Sequence, residues 1–277
     1  MNYTEVNFTI SPIQPATEIL IAELGELGFE SFVEEETGLK AYISGENFKK
    51  EELQGLFVLQ NPEFQISYQL KVIADENWNA KWESDYESVI IDNRCYIHAP
   101  FHESKPEIEF EILIEPKMSF GTAHHETTAQ MIHLLLDENV DGKTVLDMGC
   151  GTAVLAILAK KKNASFVHAI DNDEWAYNNA VENVKRNNFP DIHVEQGDAE
   201  HLQGKSYDLI LANINKNILL ADMEVYSASL LSGGIIMFSG FYIFDLNDIK
   251  AKALECNLEY QLHLVKNDWV AAKFIKK

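Results

Sequence analysis

Residues 144–153, TVLDMGCGTA, run a strand-like apolar segment into two glycines that flank a cysteine. A helix-like stretch, AVLAILAKKK (153–162), follows at once, and strand, glycine turn and helix in that order open a doubly wound α/β sheet. Gly149 and Gly151 remove side chains where the backbone must turn sharply and lie against a ligand. The amides at the start of the helix point to the same place. Outward from this turn, strand patterns recur at 165–170, 192–195, 207–212 and 235–239. Between them lie the helical patterns DEWAYNNAVENVKRNN, NILLADMEVYSASLL and FDLNDIKAKALECN. Two tail segments, LEYQLHLVKN and DWVAAKFIKK, read as a closing hairpin. The cores VLDM, VHAI and LILA are nearly continuous apolar runs, as strands covered on both faces are.

Asp171 stands 20 positions after Gly151 (171 minus 151), at the end of the second strand, where a carboxylate can accept both hydroxyls of a ribose. A dinucleotide requires a third glycine, so that the helix packs closely beneath a pyrophosphate, and here that position is Val154. S-adenosylmethionine has adenine, ribose and an amino-acid tail but no phosphate, and it is the expected cofactor. Two more motifs stand at matching strand ends, GDA (197–199) and ANIN (212–215). Asp198 can accept from the adenine amino group, or alternatively cap the turn that follows it. Cys150 lacks a nearby general base, so it reads as a small turn residue rather than a nucleophile. The HHE of 124–126 fails as a zinc motif, because HExxH would need a histidine where Ala129 stands, and no metal is expected.

In 277 residues, 44 are acidic and 22 basic, a formal net charge of -22. Such a balance repels a phosphate backbone and attracts a cationic partner, so nucleic acid is not expected as a direct substrate. Cys95, Cys150 and Cys256 have no paired spacing, which suits a reducing compartment. No run approaches a membrane span and the start, MNYTEVNFTI, has no signal core, so the expectation is a cytoplasmic protein with no membrane partner. The first 65 residues alternate strand and helix patterns (TEVNFTIS, ATEILIAELGELGF, SFVEEE, LKAYIS) and read as a small α+β domain. Residues 66–108, with Trp78, Trp82, Tyr86 and Tyr96, read as a linker whose aromatics pack on one domain or the other, ahead of a sheet domain at 109–277.

Taken together, EPKMSFGTAHHETT, VLDMGCGTAVLAI, AIDNDEWAYNNAVEN, ANINKNIL and LLSGGIIMFSG resemble, in order and spacing, the ribosomal protein L11 methyltransferase family of bacteria. The similarity is close from 115 to about 240 and looser before it. FGTxxHxTT ahead of the glycine strand, and AN in place of the NPPY-like tetrad of many amino-group methyltransferases, carry its specificity.

The resemblance implies a seven-stranded class I methyltransferase domain, Rossmann-like, that methylates lysine side chains and the α-amine of a basic ribosomal protein. It also implies an N-terminal domain that recognises the substrate and a flexible linker. By motif, Phe120 and Thr127 would cover the cofactor, Gly149, Cys150 and Gly151 would line its amino-acid tail, Asp171 would take the ribose, and Asn213 would face the methyl group and the incoming amine. Asn213 has a competing role as cap of the helix at Asn217. Where the family usually has glycine, this chain has Ala123 and Ala153, which are strained if either backbone needs a positive φ. The alternatives are a methyltransferase of another protein or a small amine, or a cofactor-binding protein without catalysis; a nicotinamide oxidoreductase is disfavoured by Val154.

Overall fold

The computed structural model describes residues 3–73, 86–115, 117 and 120–277. Trp78, Trp82 and Pro116 lie outside the described residues. The chain divides into two units, Met1–Tyr86 and Glu87–Lys277.

In the first unit, β1 (Tyr3–Ser11) is followed by α1 (Ala16–Glu26), β2 (Ser31–Glu35), β3 (Gly38–Ser44), α2 (Lys50–Gln54), α3 (Phe57–Gln60) and β4 (Gln65–Ile73). Its antiparallel sheet has the order β2-β3-β1-β4. Alternation along β1 turns Val6, Phe8 and Ile10 inward against Leu20 and Leu24 of α1. The sheet runs past the expected boundary at 65, because β4 pairs with β1 from Gln65 to Ile73. β4 is an edge strand whose Ile66 and Tyr68 pack against this core while Leu70 and Val72 stay exposed.

The second unit also begins before the expected boundary at 109. β5 (Val89–Ile91), β6 (Cys95–His98) and β7 (Phe110–Leu113) form a three-stranded sheet, and β5 and β6 lie inside the stretch read as linker. These strands have three and four residues, too short for alternation to mark them. α4 (Glu126–Asp137) leads into the expected alternation: β8 (Thr144–Met148), α5 (Val154–Lys161), β9 (Phe166–Asp171), α6 (Glu174–Arg186), β10 (His193–Gln196), β11 (Tyr207–Asn213), α7 (Lys216–Ala228), β12 (Leu230–Tyr242), α8 (Leu246–Glu255), and the hairpin β13 (Leu258–Lys266) and β14 (Trp269–Lys276).

The seven strands take the order β10-β9-β8-β11-β12-β14-β13, all running the same way except β14, which is antiparallel to both its neighbours. Apolar side chains cover both faces: Val145, Val167 and Leu209 pack with α4 and α5 residues such as Met131 and Ile157, while Leu146, Ile170 and Ile210 pack with Leu219 and Met223 of α7 and Ile249 of α8. The chain winds outward from β8 to β10 and then from β11 to β12, so the winding reverses between β8 and β11. An open α/β sheet binds its ligand in the crevice beyond the carboxyl ends of such a strand pair. Gly149 follows one of them and Asn213 ends the other. Among the described residues, no helix is long and apolar enough to cross a membrane.

Candidate active site

At the end of β8 the amides of Gly149 and Cys150 both donate to the Ile170 carbonyl, at 2.8 and 3.0 Å, which fastens the glycine turn to β9. Each Asp171 carboxylate oxygen then takes one backbone N–H: Oδ2 from Gly151 at 2.8 Å and Oδ1 from Asp173 at 3.1 Å. Each oxygen retains a further lone pair, so the fixed carboxylate can still accept two hydroxyls. Ala153, the residue before α5, has φ 63° and no capping side chain. Asp147 takes over that role from within β8, its Oδ2 accepting the Ala156 N–H at 3.0 Å. Burial pushes the Asp147 carboxyl up to about 8, opposed by the Ala156 bond and reinforced by the charge of Asp171. The Cys150 thiol is buried, and burial together with Asp147 and Asp171 raises it well above its usual range, which agrees with a turn residue and not a nucleophile.

Phe120 and Gly121 lie over this turn. The Phe120 carbonyl accepts from the Thr152 amide at 2.9 Å, and the Thr152 hydroxyl donates to the Gly121 carbonyl at 2.6 Å. Only glycine fits at 151, because a Cβ there would stand 2.2 Å from the Phe120 oxygen. The approach to this loop is held by asparagines along α6 and just beyond it. Asn183 accepts from the Glu115 amide at 2.9 Å and donates to the Thr152 carbonyl at 3.1 Å, while Asn187 accepts from the Leu113 amide at 3.0 Å and donates to its carbonyl at 2.7 Å. Two side chains thus do for residues 113–115 what a neighbouring strand would do. Ala123, at φ 66°, is left-handed like Ala153, so both alanines stand where an L side chain costs about 1–2 kcal/mol. Their methyl groups are fully packed, and that burial offsets part of the cost.

Two cavities meet at the carboxyl ends of the strands. One, of about 220 Å³, is lined by Gly149, Asp171, Gly197, Asp198, Ile214 and Asp222 among others. The second, of about 250 Å³, is lined by Phe120, His125, Thr127, Asn213, Ile214, Asn215, Gly240 and Trp269. Ile214 belongs to both walls. Its carbonyl is approached by Gly240, where a Cβ would come within 2.2 Å, and the pairing of β12 with β14 shifts register between Ser239 and Phe241 to allow this.

In the second cavity Asn213 donates from Nδ2 to the Thr128 hydroxyl at 3.3 Å. Its Oδ1 is buried and has no hydrogen-bond partner among the described residues. A buried carbonyl oxygen without a partner costs about 1–3 kcal/mol. Three lining rings follow one another, Phe120 to His125 at 5.2 Å and His125 to Trp269 at 4.8 Å between centroids, and outside the cavity the row goes on from Trp269 to Tyr242 at 3.9 Å and from Tyr242 to Phe244 at 5.2 Å.

The sequence-derived residues therefore fall into two groups. Gly149, Asp171 and Asp198 line the first cavity, Phe120, Thr127 and Asn213 the second, and Cys150 and Gly151 form the turn beside them. Asp198 also caps the short turn Ala199–Leu202, accepting from the Glu200 amide at 3.0 Å, so its alternative role is realised without removing it from the cavity wall. Asn213 is not the cap of α7; Asn215 is, accepting from the Ile218 amide at 3.2 Å. Sequence reasoning missed Trp269 and His125, which the hairpin and the start of α4 bring in, and Asp147, whose place in an apolar strand was the available signal.

The fold recurs in solved methyltransferases. A methyltransferase from Pyrococcus furiosus aligns with TM-score 0.51 at 20% identity, over 60% of this chain and 89% of that one. The ribosomal protein L11 methylase of Lactobacillus delbrueckii subsp. bulgaricus aligns with TM-score 0.65 at 26% identity, over 69% of this chain and 100% of that one. Sheet, switch-point crevice and glycine turn thus define a class I methyltransferase. The family described as Ribosomal protein L11 methyltransferase (PrmA) matches residues 13–277. The ribosomal protein L11 methyltransferase of Phocaeicola vulgatus is 47% identical over 281 residues, 100% of both chains, and that of Chlorobaculum parvum is 35% identical over 280 residues, 98% of this chain and 96% of the relative. The chain belongs to the ribosomal protein L11 methyltransferase family.

Proposed function

We propose that this chain transfers methyl groups from S-adenosylmethionine to amino groups of ribosomal protein L11, the lysine side chains and the α-amine. The observation that carries the reading is the unpartnered Oδ1 of Asn213, in an aromatic cavity that shares the Ile214 wall with an acid-lined one. The cofactor assignment rests on the chemistry of that lining: Asp171, Asp198 and Asp222 are acidic, and none of the described lining residues is basic. Three carboxylates repel a pyrophosphate and favour a ligand that carries a sulfonium and an ammonium. Asp171 takes the ribose hydroxyls and Asp198 the adenine amino group.

When bound, S-adenosylmethionine supplies a methyl carbon already attached to a good leaving group. What remains for the protein is to deliver a neutral amine in line with it. At pH 7 a lysine of pKa about 10.4 must lose a proton at a cost of about 4.6 kcal/mol, whereas an α-amine near 7.7–8.0 requires only about 1 kcal/mol. Asn213 Oδ1 accepts one N–H of the amine and turns its lone pair toward the first cavity, without the charge by which a carboxylate would retain the ammonium. Phe120, His125 and Trp269 pack along the lysine stem and keep water out. The N-terminal unit serves as the substrate-recognition domain: residues 1–65 hold twelve glutamates against three lysines, a net charge of -9, complementary to a basic partner. The cytoplasm, where such a substrate is made, is the proposed location.

Labelled S-adenosylmethionine and RNA-free L11, followed by mapping of methyl groups by mass spectrometry, test the reading. Transfer to lysines or the α-amine, slowed by about 10²–10³ in Asn213→Ala with cofactor binding retained, is the expected result. Cofactor binding without transfer would favour another substrate or a silent binding protein, and no cofactor binding would overturn the proposal.

A further inference from the structure

Away from the crevice, the outer strands β9 and β10 bring three metal-ligating side chains together. His168 and His193 are register partners in the parallel pair, and Glu195 projects from the same strand as His193, two residues on. Glu195 Oε2 lies 2.8 Å from His168 Nε2 and 3.7 Å from His193 Nε2, and one ligand atom from each residue falls within 4.8 Å of the others. Ligands about 2.0–2.1 Å from a tetrahedral metal stand about 3.3 Å apart, so the two measured separations bracket that edge. We propose that His168, His193 and Glu195 form a binding site for a zinc-like divalent cation, set back about 10 Å along β9 from Asp171.

Two imidazoles and one carboxylate suit zinc or cobalt and are a poor set for magnesium or calcium, which take oxygen donors. Both histidines also line a cavity of about 380 Å³, with Phe166, Lys205, Ser206 and Tyr207. The hydroxyl of Tyr207 lies 2.6 Å from His168 Nδ1. As long as His168 Nε2–H donates to Glu195, the tyrosine donates to Nδ1. When Nε2 turns its lone pair to a metal, Nδ1 carries the proton and the same hydroxyl accepts it, the outer hydrogen bond that orients a metal-bound histidine. Lys205 opposes the ion, since its Nζ donates to Glu195 Oε2 at 3.0 Å; it is 39% exposed and free to swing outward. Bound metal would fasten β10, an edge strand of the sheet, to β9, and Glu195 precedes Gly197 of the first cavity by two residues. The sequence carries no zinc spacing here, because 25 positions (193 minus 168) and a helix separate the histidines.

Titration of the purified full-length chain with zinc chloride by calorimetry, and with cobalt followed by its d–d absorption, tests the site. The three cysteines are buried, which removes thiols as competing ligands. The expected result is one equivalent bound, a loss of affinity of about tenfold or more in His193→Ala and in Tyr207→Phe, and tighter binding in Lys205→Ala. His193 is on the surface, so its removal leaves the fold intact. Zinc binding unchanged by His193→Ala, or no tetrahedral cobalt spectrum in the parent chain, overturns the proposal, and unaltered affinity in Lys205→Ala overturns the placement on Glu195.

Discussion

In the proposed reaction Asn213 accepts a hydrogen bond without carrying charge, and that combination sets its expected substitution pattern. Asn213→Ala removes the acceptor and lowers turnover by about 10²–10³, while the cofactor dissociation constant, set mainly in the other cavity, moves little. Asn213→Asp keeps an oxygen in place but holds the amine protonated, so turnover falls at pH 7 and recovers as pH rises toward 9; a flat pH profile in that variant would contradict the role. Asp147 supplies a second test. Its carboxyl titrates near 3.9 when unfolded and at about 8 when folded. Between those values the folded state holds a proton that the unfolded state lacks, so this group makes stability fall as pH rises from about 4 to 8. Asn at 147 mimics the neutral acid, and urea midpoints of Asp147→Asn compared at pH 5 and pH 8.5 should lose that decline. An unchanged slope would mean that the native carboxyl is already ionised.

Elements carry these residues, and they were legible to different degrees. The long alternation from β8 to β14 could be read because buried parallel strands are apolar runs and the helices between them keep helical spacing. β5 and β6 could not be read, since each owes its place to pairing rather than to pattern. The pocket was half legible: Phe120, Thr127 and Asn213 stand in motifs, but Trp269 reaches them only through the order β11-β12-β14, which no local spacing records. α6 shows another limit. Its asparagines look like an ordinary polar face, yet Asn179 and Asn183 are almost fully buried. Asn183→Ala leaves the Glu115 amide and the Thr152 carbonyl without partners, at about 1–3 kcal/mol each. Thermal denaturation should show the loss, and weaker cofactor binding should accompany it because the loop bearing Phe120 is released; normal binding in a destabilised variant would show that the loop is held by other contacts.

For the whole molecule, a net charge of -22 makes capture of a basic substrate a long-range process. Screening shortens from about 10 Å at 0.1 M salt to about 3 Å at 1 M. The Michaelis constant for L11 should therefore rise steeply with salt while turnover changes far less, and a salt-independent constant would remove electrostatics from recognition. The Ala123 and Ala153 backbones, both left-handed, are strains of about 1–2 kcal/mol each that the surrounding turn and loop sustain.

Trp269, finally, sits 142 positions after Thr127 in the wall they share (269 minus 127). The acid-lined cavity draws on residues from Met148 to Asp222 alone, whereas the aromatic one takes Trp269 from the last strand. A change in the closing hairpin can thus reach the aromatic wall while touching none of the residues that line the acid-lined cavity.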